Sequence, residues 1–250
     1  MEWEAPAIVL DARPFGEGDA VATVFTEEHG AHRGLARGGF ARSRAATWQK
    51  GNLVQVRWVG RLADQLGSFS AELVHPGAAL AMDDALALAM LASACAVAEG
   101  ALPEREPHPA VFAGLLRLIV QLPEGAAALP DLIRWESLLL TELGYGMDLS
   151  SCALSASTDN LAFVSPKTGR AVSAEAAGMW KSRLFPLPPF LLGQGPSTPQ
   201  DWLDGLRLTG HFLERDAFGH RHLPLPPPRL LLYDRVAALI PDSDSPCKTT

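Results

Sequence analysis

The sequence predicts an α+β multidomain protein, in which a small barrel of five β-strands is followed by an α-helical domain. Up to residue 73, apolar and polar residues alternate in short runs that end at glycine-rich breaks, which is typical of β-strands. After residue 78, apolar residues recur instead at the spacing of α-helices. With 250 residues, 48% of them hydrophobic, the chain can form two cores, and we expect domains at 1–78 and 79–250.

Five strands are predicted in the first domain. The fourth has the clearest alternation and places Val54, Val56 and Trp58 on one face, which favours a core position for Trp58. Five such strands are enough for a small closed barrel, and the OB-fold is the five-stranded barrel that binds nucleic acids. The predicted strands are residues 7–13, 20–28, 32–37, 52–60 and 66–73.

The second domain is predicted to be a helical bundle with one irregular insertion. Asp83 and Asp84 suit the N-terminus of its first helix, where the helix dipole favours negative charge. The insertion, at about residues 148–180, contains a predicted hairpin at residues 161–173, with its turn at residues 166–169. The most apolar run, residues 85–98, is too short to cross a bilayer and predicts a buried helix. The predicted helices are residues 82–102, 110–122, 131–146, 200–218 and 229–240.

The chain is acidic, with a formal net charge of −7, but the charge is unevenly distributed along it. Residues 29–63 contain seven Lys and Arg residues and no Asp or Glu. A cationic stretch within an acidic protein indicates a local site for a polyanion. The seven residues are Arg33, Arg37, Arg42, Arg44, Lys50, Arg57 and Arg61.

Aromatic residues stand among these charges and favour single-stranded nucleic acid as the polyanion. Arginines neutralise phosphates, and exposed rings stack on bases without reading their sequence. We therefore expect the seven basic residues to bind nucleic acid, with Phe40 and Trp48 as stacking partners. The alternative interpretation is that the arginines are only the solvated face of the barrel. The barrel pattern does not distinguish DNA from RNA.

No motif in the sequence predicts an enzyme or a cofactor. The P-loop string G-x-x-x-x-G-K-[ST], the dinucleotide-binding glycine pattern, G-x-S-x-G and H-E-x-x-H are all missing. The three cysteines form no C-x-x-C pair, as expected for a cytosolic protein without a disulfide framework. The acidic N-terminal sequence does not predict secretion.

Four stretches of the chain resemble the RecO family of bacterial recombination mediators. They are RPFGEGD at residues 13–19, GLARGGFARSR at 34–44, LGYGMDLSSC at 143–152 and FVSPKTGRAVS at 163–173. The last two, taken together, are the most specific. The resemblance implies an OB-fold barrel and a helical domain that carries a small zinc-finger-like hairpin.

At that hairpin the chain departs from the family pattern. Many relatives have two C-x-x-C pairs that form a zinc site, whereas this chain has Cys152 and Ser155 at the first pair and Ser173 and Ala176 at the second. One thiolate cannot hold a structural zinc ion. We therefore predict a metal-free hairpin that is held together by packing.

The resemblance implies a non-enzymatic role in DNA repair and recombination, in the cytoplasm and at the nucleoid. RecO-like proteins bind single- and double-stranded DNA, anneal complementary strands, and act with RecR to load RecA onto gaps coated by single-strand-binding protein. The alternatives are an OB-fold RNA-binding module in translation or RNA processing, a nuclease, and a scaffold that binds no nucleic acid.

The resemblance also implies that the helical domain receives the acidic C-terminal tail of single-strand-binding protein. Such a tail requires an apolar pocket beside a cation. Arg134 is the candidate cation by position, with Leu115, Leu116 and Ile119 as the pocket.

Overall fold

The N-terminal part of the chain is a closed barrel of five strands, which confirms the predicted fold class. The computed structural model describes residues 1–42, 44–62 and 65–240. Around the barrel the strands follow the order β1-β2-β3-β5-β4; four of the pairs are antiparallel, and β3 pairs with β5 in parallel. The strands are β1 (Glu2–Phe15), β2 (Asp19–Thr26), β3 (Gly30–Ala36), β4 (Leu53–Val59) and β5 (Ser68–His75).

The barrel interior combines small and large side chains, as a narrow closed sheet requires. Ala20 and Ala22 of β2 share this interior with Trp58 and Phe69. Trp58 is only 1% exposed, and its indole N–H donates to the carbonyl oxygen of Leu66 at 3.1 Å. The core position that the alternation predicts for Trp58 is thus confirmed.

The rest of the chain is mainly helical, and the five predicted helices are present with ends shifted by a few residues. Asp84 caps α2, since its carboxylate accepts from the backbone N–H groups of Leu86 and Ala87. Two short helices, α1 and α5, were not predicted. The helices are α1 (Gly77–Ala81), α2 (Ala85–Ala101), α3 (Pro109–Gln121), α4 (Leu129–Glu142), α5 (Ala174–Ala177), α6 (Pro199–Phe212) and α7 (Pro227–Ala237).

The stretch from Pro109 to Glu142 is long and apolar enough to cross a membrane by length and composition. It does not form one straight helix. Between α3 and α4 the chain takes a 3₁₀ turn in which Gly125 has φ 63° and ψ −130°, far from helical values. The two helices then pack together, and the indole of Trp135 donates to the carbonyl oxygen of Val111 at 3.1 Å.

One side of the barrel packs into the hydrophobic core of the helices, while the barrel interior forms a buried cluster of its own. Ile8, Leu10 and Phe25 belong to the same buried cluster as the helical residues, and the rings of Phe25 and Phe112 meet edge to face at 5.6 Å. The segment before α3 also extends the sheet, because the N–H of Arg105 donates to the carbonyl oxygen of Ala31 at 2.8 Å. The barrel is therefore fixed to the helices by side chains and by backbone.

A buried ion pair ties three helices together. Arg229 of α7 and Glu136 of α4 are 2% and 0% exposed, and Nη2 of Arg229 lies 3.0 Å from Oε2 of Glu136. Thr209 of α6 donates its hydroxyl to the same carboxylate, and Arg229 also donates to the carbonyl oxygen of Leu206 at 2.7 Å. Both buried charges thus have hydrogen-bond partners from the surrounding helices, which offset the cost of burying them.

The predicted hairpin is confirmed as an antiparallel pair, and a third strand extends it. The sheet order is β7-β6-β8, with β6 (Leu161–Val164), β7 (Ala171–Ser173) and β8 (Phe185–Pro186). One face packs on Cys152 and Ala177, while Val164 and Ala171 join the main core. A two-residue strand shows no alternation, so the sequence gives no signal for β8.

Candidate nucleic-acid interface

A groove of about 450 Å³ opens on the barrel between β4, β5 and the connection from β3 to β4. Three of the predicted cations, Arg37, Arg44 and Arg57, line it. Two carboxylates, from Glu4 and Glu72, also line it, so the lining residues carry a formal charge of +1. The stretch GLARGGFARSR therefore contributes two arginines to one wall of the groove.

The connection that carries these arginines is held against the barrel. The carboxylate of Asp19 accepts from the N–H of Gly38 at 2.7 Å, and Phe40 donates its N–H to the carbonyl oxygen of Gly18 at 2.9 Å. The guanidinium of Arg44 donates to the carbonyl oxygen of Arg37 at 3.1 Å. These bonds place both arginines beside the groove. Ser43 lies outside the described residues.

The two predicted stacking residues differ in exposure. Trp48 is 6% exposed, lies in the barrel core and stacks against Phe69 with ring centroids 6.1 Å apart. Trp48 lines the groove, but its ring is almost fully packed, so it does not offer an open ring face to a base. Phe40 is 43% exposed, but it is not among the described residues that line the groove.

Three of the seven predicted cations form ion pairs with acids that are distant in sequence. Arg33 pairs with Glu104 at 2.9 Å, Lys50 with Asp11 at 2.7 Å, and Arg57 with Glu2. Within the described part of the chain, no ion pair involves the other four. The remaining cations are Arg37, Arg42, Arg44 and Arg61.

The contact of Lys50 with Asp11 has the character of a structural pair. Asp11 is 6% exposed, and Arg13 also binds its carboxylate at 2.6 Å. Burial alone would raise the pKa of Asp11, but the hydrogen bonds and positive charges of Lys50 and Arg13 outweigh it and lower that pKa. Lys50 is thus engaged within the protein.

Sequence reasoning missed other residues of this surface. Gln55 and Ser70 line the groove, and the alternation of β4 carried a signal for Gln55, since it shares the outward face with Arg57. Trp3 stacks on His29 with centroids 4.3 Å apart at another part of the barrel. Trp3 precedes the predicted first strand, so no pattern indicated this stack.

The residues predicted as a pocket for an acidic tail do not form one. Leu115 and Ile119 are 0% and 1% exposed and face the helical core, because they belong to the apolar stripe of α3; Leu116 is partly buried. Arg134 is about half exposed, binds Asp131 at 2.8 Å and lies 5.4 Å from the ring centroid of Phe190. The apolar pocket predicted at these residues is therefore not present, because their side chains are already packed.

A second cavity, of about 400 Å³, lies in the helical region, where α2 and α4 end and α3 begins. Its lining has both signs of charge, from Glu106, Glu142 and Arg221, with His108 between them. Neither Arg134 nor the three predicted α3 residues are among its described lining residues.

The residues at the hairpin do not fit a zinc site. Cys152 is buried, and its sulfur accepts from the N–H of Ser173 at 3.3 Å. A hydrogen bond from the Ser155 side chain, together with backbone N–H groups, lowers the pKa of Cys152 to about 6. Across residues 1–42, 44–62 and 65–240, no three His, Cys, Asp or Glu side chains converge as a metal site. That the hairpin is metal-free stays a prediction.

Comparison with known proteins covers nearly the whole chain. The family model described as "Recombination protein O N terminal" matches residues 1–76, and the one described as "Recombination protein O C terminal" matches residues 82–223. A protein named "DNA repair protein RecO" from Granulibacter bethesdensis is 60% identical over 242 residues, which cover 96% of this chain and 97% of the relative. Proteins of the same name from Gluconacetobacter diazotrophicus and Acidiphilium cryptum are 58% and 57% identical, each over 98% of this chain and 99% of the relative.

Proposed function

This chain belongs to the RecO family of DNA repair proteins, and on that premise we propose that it binds single- and double-stranded DNA and anneals complementary strands. It does so without catalysis, acting with RecR to load RecA onto gaps coated by single-strand-binding protein, in the cytoplasm and at the nucleoid. A general role in DNA repair follows from the family itself.

The observation that best supports DNA binding is the cationic groove of the barrel. Arg37 and Arg44 lie on its wall without an ion-pair partner among the described residues, so their charges are available to phosphates. Two DNA strands approach each other only when the repulsion between their phosphates is reduced. A groove that binds backbones through arginines lowers this repulsion and leaves the base edges open for pairing.

Salt dependence of binding tests this proposal. We expect Arg37→Ala/Arg44→Ala to weaken binding of a labelled oligothymidylate and to reduce the slope of log affinity against log salt by about 1.4, since each phosphate contact on a single strand contributes about 0.7. Arg117→Ala/Arg235→Ala, which removes two exposed arginines of the helices, is the matched control. A slope equal to that of the wild type would contradict the assignment of the groove.

Annealing is tested on complementary strands coated with single-strand-binding protein. Duplex formation should accelerate without nucleotide, and strand lengths should stay constant with or without Mg²⁺. Shortened strands would favour a nuclease instead. Preference for RNA in a direct competition would favour the alternative, an RNA-binding barrel.

For the tail of single-strand-binding protein, Arg134 is the residue that we retain. Its guanidinium is half exposed and its carboxylate partner, Asp131, is on the same helix at i−3, a weak surface pair that a peptide carboxylate can replace. Arg134→Ala should weaken binding of a peptide with the tail sequence. Equal affinity of wild type and variant would remove Arg134 from the site.

A further inference from the structure

The hairpin region contains a second cationic stretch that the barrel site does not explain. Residues 161–200 include four basic residues and one acidic residue, in a chain whose net charge is −7. The single acid, Glu175, is engaged by the side-chain amide of Asn160 at 2.9 Å. The basic residues are Lys167, Arg170, Lys181 and Arg183.

An exposed tryptophan lies at the centre of this stretch. All six residues 178–183 are exposed, and Trp180 and Met179 are 52% and 88% exposed. By contrast, Trp48 and Trp58 of the barrel are 6% and 1% exposed. Large apolar side chains beside one another in water mark a binding surface more often than isolated ones do. Packing within the chain therefore does not account for the position of Trp180.

One cation packs on the exposed ring, and a second follows it directly in the sequence. The guanidinium carbon of Arg183 lies 5.3 Å from the Trp180 ring centroid, and Nζ of Lys181 lies 5.6 Å from that of Phe163. Among the residues that the structure describes, neither cation has an acidic partner. Contacts with aromatic faces position both charges without neutralising them. An exposed ring with one unneutralised cation packed on it and another beside it in the sequence has the chemistry that single-stranded nucleic acid requires, since bases stack on the ring and phosphates bind the charges.

We propose that Trp180, Lys181 and Arg183 form a second contact for single-stranded DNA, separate from the barrel groove. The indole stacks on one unpaired base, and the two cations bind the phosphates on either side of it. The inference rests on the proposed DNA-binding function and deepens it, because an annealing protein has to hold two strands. One strand binds the barrel groove while its complement binds the hairpin surface.

Affinity for a labelled oligothymidylate tests this surface. Trp180→Ala should weaken binding by about tenfold, the loss of one stacked base, whereas Trp180→Phe should retain most of the affinity because it keeps an aromatic face. Lys181→Ala/Arg183→Ala should lower the salt slope by about 1.4. Leu230→Ala is the matched control, because it removes a similarly exposed apolar side chain of α7, outside this surface.

The outcomes separate this proposal from the barrel site. If the wild type binds DNA and Arg37→Ala/Arg44→Ala weakens it, but Trp180→Ala and Lys181→Ala/Arg183→Ala both bind as the wild type does, the hairpin surface is overturned and the barrel site stands. If the wild type binds no DNA, the proposed function fails first. Circular dichroism confirms folding, and if Trp180→Ala is unfolded, the double cation variant decides alone. The proposal would also be overturned if these variants bound DNA as the wild type does but no longer bound an acidic peptide.

Discussion

His32 is a histidine buried among aromatic rings. It is 5% exposed, neither of its ring nitrogens has a hydrogen-bond partner among the described residues, and its ring meets the edges of Trp3 and Trp58 at 5.2 and 5.0 Å. Burial, reinforced by the nearby positive charges of Arg105 and His29, lowers the pKa of His32 to about 4. Since this lies below the ordinary 6.5, neutral His32 favours the folded state at pH 6.5 and above, and this contribution is lost as the pH falls to 4.

We expect His32→Phe to reduce the loss of stability in acid. For a shift of this size, His32 alone should remove about 3 kcal/mol from the free energy of unfolding between pH 6.5 and pH 4. Urea unfolding at several pH values measures the free energy of unfolding of the variant and of the wild type. The difference between them reports His32, because every other titratable group is common to both proteins. His222→Asn, which removes an exposed histidine, should follow the wild type. Parallel curves for His32→Phe and wild type would refute the assignment.

The sequence showed that aromatic residues stand among the basic ones, but it did not show which of their rings are exposed and which are buried. Phe40 and Trp48 both occur in a connection without strand or helix periodicity, so no pattern distinguishes the exposed ring from the buried one. The sequence also did not show which charged residues form ion pairs with one another. Residues 29–63 contain no acid, yet Glu104 lies 2.9 Å from Arg33, because the chain returns to β3 before α3 begins.

At the scale of elements, the buried Glu136–Arg229 pair joins α4 to α7. Both side chains are almost fully buried, so each ion is stable only with its partner and the added hydrogen bonds. Removing one partner leaves an uncompensated buried charge.

We expect Arg229→Met to lower the free energy of unfolding by about 3–5 kcal/mol. The double variant Glu136→Gln/Arg229→Met should lose less than the sum of its two single variants, because no unpaired ion remains. Urea unfolding of the three variants and the wild type completes the cycle. Additive losses would show that the two side chains act independently.

Elements with strong periodicity were predicted well. The alternation in β4 and the apolar stripes of α3 and α6 are each long enough to outweigh local exceptions. Short elements were missed, because α1, α5 and β8 have five, four and two residues, fewer than a period can show. The predicted pocket failed for a related reason: an apolar stripe marks a buried face and does not say whether a cavity borders it.

At the scale of the whole molecule, Gly30 allows the barrel to meet the helical region. Its φ is +63°, and a Cβ added there would lie only 2.2 Å from the carbonyl oxygen of Glu106. Glycine alone fits both the backbone conformation and the close approach. No sequence pattern predicted this contact, because it joins residues that are about 75 positions apart along the chain.

We expect Gly30→Ala to destabilise the barrel and the helices together. The left-handed backbone alone costs about 1–2 kcal/mol for alanine, and the clash with Glu106 adds to it. Hydrogen exchange with mass spectrometry should show the slowest amides of β2 and α4 opening with the same free energy in the wild type, and with the same reduced value in the variant. Loss of protection in β2 alone would show that the two parts unfold separately.

The packing of one side of the barrel into the core of the helices limits how this protein can be divided. A gene fragment that encoded residues 1–78 alone would leave Ile8, Leu10 and Phe25 without the helical side chains that shield them from water. The barrel therefore cannot be transferred alone into another protein without exposing these side chains to water. Replacing the barrel would therefore require replacing the matching surface of α2 and α3 as well.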